Sequence, residues 1–405
     1  MTWPTVRMGE HFRVKHGYAF KGEYFDSDGP YVLLTPGSFN EAGGYRDQGE
    51  KTKFYTGDVP EGYVLDEGDL LVAMTEQTPG LLGSSAWIPE GGRLLHNQRL
   101  GRIVDLDERR LNKRFLYYLF NTKEVRDQIS ATATGGKVRH TAPERIAQVS
   151  FRQPPLDTQR NIAAALSAYD DLIENNRRRM VLLEEAVRQL YREWFVRLRF
   201  PGHEHTRITS GVPEGWRKAT AFEAMEVMSG GTPRTTTPDF WDGEVPFYTP
   251  KDSVAECYVL TTEKRMTEMG LTNCNSKLYP KDTIFITARG TVGNLNLAQR
   301  PMAMNQSCYA LAGREGIPQK FLFCALREAI QYFQQHAGGA VFDAIIVDTF
   351  KLIPFIIPDP KLVKTYEEEI EPIFQQIENL LQQNQKLRAA RNLLLPRLMS
   401  GEIAI

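Results

Sequence analysis

Ile162, Leu166, Tyr169, Ile173, Asn176, Met180, Leu183, Val187, Leu190 and Trp194 follow one another in alternating steps of four and three. That spacing is the heptad seam of a coiled coil, and its one polar member, Asn176, is the usual device for fixing register at some cost in stability. As a single helix, residues 157 to about 198 would span roughly 60 Å at about 1.5 Å per residue. A second seam lies near the C-terminus: Ile370, Ile373, Ile377, Leu380, Asn384, Leu387, Arg391, Leu394 and Leu398. There Arg391 interrupts the apolar series, and Pro372 is expected to kink or restart the helix in its first turns. Two seams in one chain, separated by a compact domain, pair most simply with each other in antiparallel fashion. The alternative is two independent amphipathic helices, each covering a sheet.

Outside the seams the chain repeats itself. Gly68-Asp69-Leu70-Leu71-Val72-Ala73 runs on to Leu95-His96-Asn97-Gln98, and Lys281-Asp282-Thr283-Ile284-Phe285-Ile286 runs on to Met302-Ala303-Met304-Asn305-Gln306. The two Asn-Gln pairs are offset by 305 − 97 = 208 positions, and Asn176 and Asn384 by the same 384 − 176 = 208. Tyr31-Val32-Leu33-Leu34-Thr35-Pro36 is answered by Val245-Pro246-Phe247-Tyr248-Thr249-Pro250. A repeat of half the chain is too long for a solenoid unit. It is the mark of a duplicated globular domain plus helix, and duplication predicts pseudo-two-fold symmetry. A pseudo-dyad suits a partner that is itself two-fold, of which duplex DNA is the commonest.

Each globular half is expected to be α/β. Phe54-Tyr55, Tyr63-Val64-Leu65, Leu70 to Ala73 and Leu100 to Val104 are strand candidates, Phe115 to about Ile129 a helix, and Ile146 to Phe151 a last strand. The second half follows the same order, with a helix around Phe321 to Gln335 and a strand around Leu352 to Ile357. The predicted architecture is two homologous α/β domains, residues 1–154 and 200–358, separated by an antiparallel coiled coil of two long helical segments, residues 155–199 and 359–405.

Hydrophobic residues make up 41% of the 405, enough for real cores, while the charged 24% balance to a formal net charge of −1. That balance argues against a purely electrostatic nucleic-acid binder but leaves room for local basic faces. Cys257, Cys274, Cys308 and Cys324 have no CxxC spacing, so neither a disulfide framework nor a zinc site is expected. The start, Met1-Thr2-Trp3-Pro4, is not that of a signal peptide, and no apolar run approaches the roughly 20 residues that span a bilayer. A cytoplasmic protein with no membrane contact is the expectation. His203 and His205, in the linker that opens at Phe200-Pro201-Gly202, lack a nearby third ligand, so no metal is expected.

Catalytic motifs are missing. There is no G-x-x-x-x-G-K-[ST] phosphate loop, and Gln153-Pro154-Pro155-Leu156 lacks the aromatic residue with which amino-methyltransferases stack on a flipped base. Asp239, Asp242 and Glu244 near Lys251 could suggest a metal nuclease, but Asp239 and Asp242 are expected in a Pro/Gly-rich loop rather than on the strand pair such an enzyme would use. No catalytic residues are assigned, and a non-catalytic reader is the expectation.

Several stretches resemble the specificity subunits of type I restriction–modification systems. They are Leu394-Leu395-Pro396-Arg397-Leu398-Met399-Ser400-Gly401-Glu402-Ile403, Pro154-Pro155-Leu156-Asp157-Thr158-Gln159-Arg160-Asn161-Ile162-Ala163, Gly17-Tyr18-Ala19-Phe20-Lys21, Gly230-Gly231-Thr232-Pro233-Arg234, and Trp194-Phe195 with Phe200-Pro201-Gly202. The second copy departs from the Pro-Pro-Leu-x-x-Gln pattern, having Pro358-Asp359-Pro360. The resemblance implies that each half is a target-recognition domain reading one half of an interrupted site in double-stranded DNA. It implies a helical spacer, two adenine-methylating modification subunits docked on the domain-plus-helix units, and restriction/translocase subunits joining that core. The chain itself would need no cofactor; AdoMet and ATP would belong to the partners. The rival function is a coiled-coil scaffold joining proteins without reading DNA.

Base edges are read by cationic, amide and hydroxyl side chains on loops or helix starts. By that criterion the candidates are Lys21, Ser38, Gln77, Thr78, Lys137, Arg139 and His140 in the first domain, and Thr232, Arg234, Lys251, Arg289 and Thr291 in the second. Each has the alternative of a solvated loop residue. Gly135-Gly136 and Gly338-Gly339 would let backbone approach phosphates. Asn97-Gln98 and Asn305-Gln306 recur in both copies, so they are expected to be structural. Arg177-Arg178-Arg179 suit either phosphate contact or a solvated coiled-coil flank. Leu172, Leu182, Tyr191 and Phe195 lie off the seam, free to anchor a partner's helices or to pack on the neighbouring domains.

Overall fold

The computed structural model describes residues 3–77, 79–290, 292–336 and 344–405. Their contacts fall into two units, Met1–Leu172 with Leu387–Ile405, and Ile173–Lys386. In the first unit β1 (Arg13–His16), β2 (Leu70–Ala73), β3 (Ser85–Trp87) and β4 (Leu100–Val104) form an antiparallel sheet ordered β1-β4-β2-β3. β2 is an uninterrupted apolar run because both its faces are covered. Alternate side chains divide between two cores. Leu70 and Val72 pack with Phe115 and Leu116 of α1 (Lys113–Phe120) and with Ile162 and Leu166 of α2 (Leu156–Tyr191). Leu71 and Ala73 face Leu34, Phe39 and Ala86.

The second unit builds the same sheet from different residues. β5 (Met225–Ser229), β6 (Tyr258–Val259), β7 (Ile284–Thr287), β8 (Leu295–Ala298) and β9 (Cys308–Gly313) are ordered β5-β9-β7-β8-β6. The first four of that order repeat β1-β4-β2-β3, and β6 adds a parallel strand at the β8 edge. Ile284 and Ile286 pack in one core with Phe321 and Leu322 of α3 (Gln319–His336), while Phe285 points into another with Tyr248 and Met304. Smaller ladders recur too: Thr5–Arg7 pairs with Ser150–Arg152, and Arg217–Thr220 with Pro354–Ile357. Val32 and Leu33 run parallel to Leu94 and Leu95, as Phe247 and Tyr248 do to Ala303 and Met304.

Glycine makes one of these repeats possible. A Cβ on Gly17 would lie 1.9 Å from the Asn97 carbonyl oxygen, and one on Gly230 would lie 2.3 Å from that of Asn305. No side chain survives such an approach, so the family-like openings and the Asn-Gln pairs are two sides of one contact, made twice. Both asparagines turn back on their own chain: Asn97 Oδ1 accepts from the Arg99 N–H and Asn305 Oδ1 from that of Ser307, each at 3.0 Å.

Some local expectations change. The helix expected from Phe115 to Ile129 is two helices, α1 and Lys123–Ala131, because Thr122 caps the second. Tyr63 to Leu65 is no strand; Val64 makes a single bridge to Leu95. A short helix, Pro143–Ala147, precedes the strand Ser150–Arg152. α4 (Pro360–Ser400) continues through Pro372 without restarting. Pro372 and Glu368, whose carbonyl loses its helical donor, both lie on the exposed face, where water can supply the missing hydrogen bond.

In each unit α2 and α4 run antiparallel. In the second, Asn176 meets Asn384 while the Tyr366 hydroxyl donates to the Val187 carbonyl; in the first, Asp170 meets Arg391 while Ile162 shares a core with Leu398.

Candidate nucleic-acid interface

Three of the second domain's predicted readers converge. Thr232, Lys251 and Arg289 line one cleft of about 430 Å³, together with Trp241, Lys264 and Asn305. They are far apart in sequence, and the parallel pairing of Phe247-Tyr248 with Ala303-Met304 draws their segments together. Thr232 follows the Gly230-Gly231 approach to Asn305 and donates to Gln306 Oε1. Lys251 rides on a capped turn in which Asp252 Oδ2 accepts from the Thr249 amide at 2.9 Å and its hydroxyl at 2.7 Å. The other oxygen of Asp252 accepts from the Glu263 amide. Arg289 leaves the end of β7. Lys251, Lys264 and Arg289 outnumber the single acid of the lining, Glu263, so the cleft carries a local positive excess despite the chain's balanced charge.

Behind the Lys251 turn stands a fully buried amide that sequence reasoning missed. Asn296 donates to the carbonyls of Val254 and Glu256 and accepts from the Tyr248 and Ser253 hydroxyls. Its signal was a lone polar residue between Leu295 and Leu297 in an apolar strand. Arg234 is exposed outside the cleft lining, its carbonyl accepting from the Trp241 indole at 3.2 Å. Thr291 lies outside the described residues, as do Thr78 and Gly338-Gly339.

In the first domain Arg139 and His140 pair antiparallel with Glu76 and Thr75, which brings them beside Gln77. Arg139 is already engaged, with Glu76 Oε1 at 3.1 Å and with the carbonyl and hydroxyl of Ser130. His140 Nδ1 meets the Thr75 hydroxyl at 3.0 Å. Gln77 and Lys137 are exposed. Lys21 is exposed on a separate segment, 3.7 Å from Glu23. Ser38 is buried, and its hydroxyl accepts from the Thr35 amide and from Gln48 Nε2, so it belongs to the frame rather than to the surface.

On the helices, Asn176 Nδ2 donates to Asn384 Oδ1 at 2.9 Å, and Asn384 Nδ2 donates to the Ile173 carbonyl at 3.1 Å. Arg391, the break in the second seam, forms an ion pair with Asp170, which also accepts from the Tyr118 hydroxyl at 2.6 Å. Arg177 and Arg178 face Glu256 and Glu174, at 4.0 and 3.0 Å. Leu172 and Leu182 are exposed, but Tyr191 and Phe195 are buried among Trp216, Phe321 and Tyr366 and present no surface. No group of metal-binding side chains occurs among the described residues, and none of their helices is long and apolar enough to cross a membrane.

The duplicated domain, its basic cleft and the paired helices define a class, and comparison with known proteins identifies it. The family model for the type I restriction modification DNA specificity domain matches twice, at residues 1–185 and 213–390. The chain belongs to that family and is a specificity subunit of a type I restriction–modification system. The MjaIX specificity subunit of Methanocaldococcus jannaschii is 23% identical over 320 residues, covering 77% of this chain and 73% of that one. The HindI specificity subunit of Haemophilus influenzae is 21% identical over 353 residues, covering 71% and 77%. In fold, the chain is similar to the type I S subunit from M. genitalium, with TM-score 0.55 and 16% identity over 98% of this chain and 96% of that one.

Proposed function

We propose that each domain reads one half of an interrupted site in double-stranded DNA, the second through Thr232, Lys251 and Arg289 in its cleft, the first through Gln77 and its neighbours. One observation carries this reading: a single strand order is built twice, yet corresponding loops hold different polar groups. A common frame with divergent loops is what two different half-sites demand. The paired helices act as the spacer that sets the unread gap. The exposed Leu172 and Leu182 offer apolar anchors for two modification subunits, which supply AdoMet-dependent adenine methylation. ATP-driven restriction/translocase subunits complete the complex in the cytoplasm, and this chain contributes no catalytic group.

The test is to co-express the chain with its modification subunit and map N6-methyladenine across the host genome. An interrupted motif that disappears on deletion of this chain is expected, and replacing residues 1–154 with those of a relative should change one half of it only. Methylation indifferent to the deletion would favour a scaffold that does not read DNA.

A further inference from the structure

The hairpin loop between β2 and β3 corresponds to the loop between β7 and β8, because identical backbone hydrogen bonds close both. Ala73 N–H donates to Ser84 and Gly83 N–H donates to Ala73; in the second domain Thr287 N–H donates to Asn294 and Gly293 N–H donates to Thr287. The closing pair Ala73 and Gly83 are 83 − 73 = 10 residues apart, against 293 − 287 = 6 for Thr287 and Gly293. The first domain therefore carries four more residues at this point, and the second presents Arg289 of the cleft from it.

Thr75 and Glu76 still pair with His140 and Arg139, but the amides of Gly80, Leu81 and Leu82 lie beyond any strand and need another acceptor. Glu76, only 3% exposed, supplies it. Its Oε2 accepts from the amides of Gly80, Leu81 and Leu82 at 3.0, 3.0 and 2.9 Å, while Oε1 faces Arg139. Arg126 closes the far side by donating to the Gly80 carbonyl at 2.9 Å. A carboxylate gathering three amides and a guanidinium is a strong, directional anchor. Gln77 follows Glu76 in the chain and is exposed. We infer that Glu76 is a positioning residue for sequence recognition: it folds the enlarged loop and so aims Gln77 at the bases of one half-site. The inference rests on the first domain's being a half-site reader.

The test uses the specificity subunit complexed with its modification subunit, carrying Glu76→Gln or, separately, Gln77→Ala. Glu76→Gln keeps the volume but presents an N–H₂ group either to the loop amides or to Arg139, so the anchor is lost. The readout is the ratio of methylation at matched sites to sites with one substituted base pair, which is independent of how much complex folds. Both variants should lower that ratio about tenfold at the same one or two base pairs of one half, with the other half unchanged. If Gln77→Ala changes the preference and Glu76→Gln does not, or if Glu76→Gln lowers methylation at all sites with every ratio intact, the positioning role is refuted. If instead replacing residues 1–154 leaves both halves of the motif unaltered, it is the half-site reading of the first domain that fails.

Discussion

Gln159 and Glu367 stand 367 − 159 = 208 positions apart and do the same work with different chemistry. Gln159 Oε1 accepts from the Asn112 amide at the start of α1 while its N–H₂ group donates to the Arg110 and Pro154 carbonyls. Glu367 Oε2 accepts from the Phe321 amide at the start of α3. One part of the Pro-Pro-Leu-x-x-Gln pattern, the side-chain oxygen that accepts at the start of the packed helix, thus recurs in the second copy with an acid in place of the amide. Burial pushes the Glu367 carboxyl up to about 7, against the pull of the Phe321 amide and Lys320. A carboxyl raised in the fold binds its proton more tightly there than when unfolded. Its contribution is therefore fully present below the unfolded value near 4.5 and is lost as pH rises through about 7. Glu367→Gln, which installs the first copy's solution, should stabilise the fold by about 1–2 kcal/mol more at pH 8 than at pH 5. Thermal unfolding at both pH values checks this; a gain of equal size at pH 5 would contradict the titration argument.

At the scale of elements, the long helices were legible because heptad spacing survives any detail of packing, and the central strands β2 and β7 because burial on both faces forces apolar runs, whereas the polar edge strand β1 gave no such signal. What depended on surroundings was not. Pro372 could be read as a break only without knowing that Glu368 faces water, and Tyr191 and Phe195 suited a partner anchor as well as domain packing until their burial decided for packing. Convergence of Thr232, Lys251 and Arg289 needed the parallel pairing of Phe247-Tyr248 with Ala303-Met304, which no local pattern announces. Ser38 looked like a reader for the same reason: a hydroxyl on a turn gives no hint of Gln48. The buried Asn176–Asn384 pair makes a sharper prediction. Asn176→Leu alone leaves the Asn384 amide facing an apolar side chain and should cost about 1–3 kcal/mol. Asn176→Leu with Asn384→Leu should recover that loss, since two leucines at facing seam positions pack without unsatisfied groups. Urea denaturation of the four members of the cycle measures the coupling, and additive losses would show that the amides do not act as a pair.

For the whole molecule, the seam that specifies the helices is also the constraint on changing them. The boundary between the two units crosses α2 between Leu172 and Ile173 and α4 between Lys386 and Leu387. Lengthening α2 alone would leave Asn176–Asn384 and Asp170–Arg391 unable to form together, so an insertion must be made in both helices. It must also be seven residues, because a four-residue turn would rotate the seam out of phase whereas a heptad returns it. Seven residues lengthen a helix by about 10 Å, close to three base pairs at about 3.4 Å each. If the helices set the gap between half-sites, heptads inserted at both boundary positions should yield a methylated motif whose halves are unchanged and whose unread gap is longer by about three base pairs. Sequencing of N6-methyladenine in cells carrying the double insertion reads both properties at once. A motif with the original gap would mean that the gap is set elsewhere, by the modification subunits or by bending of the DNA. Altered halves with the gap unchanged would mean that the insertion had disturbed the domains rather than the spacer.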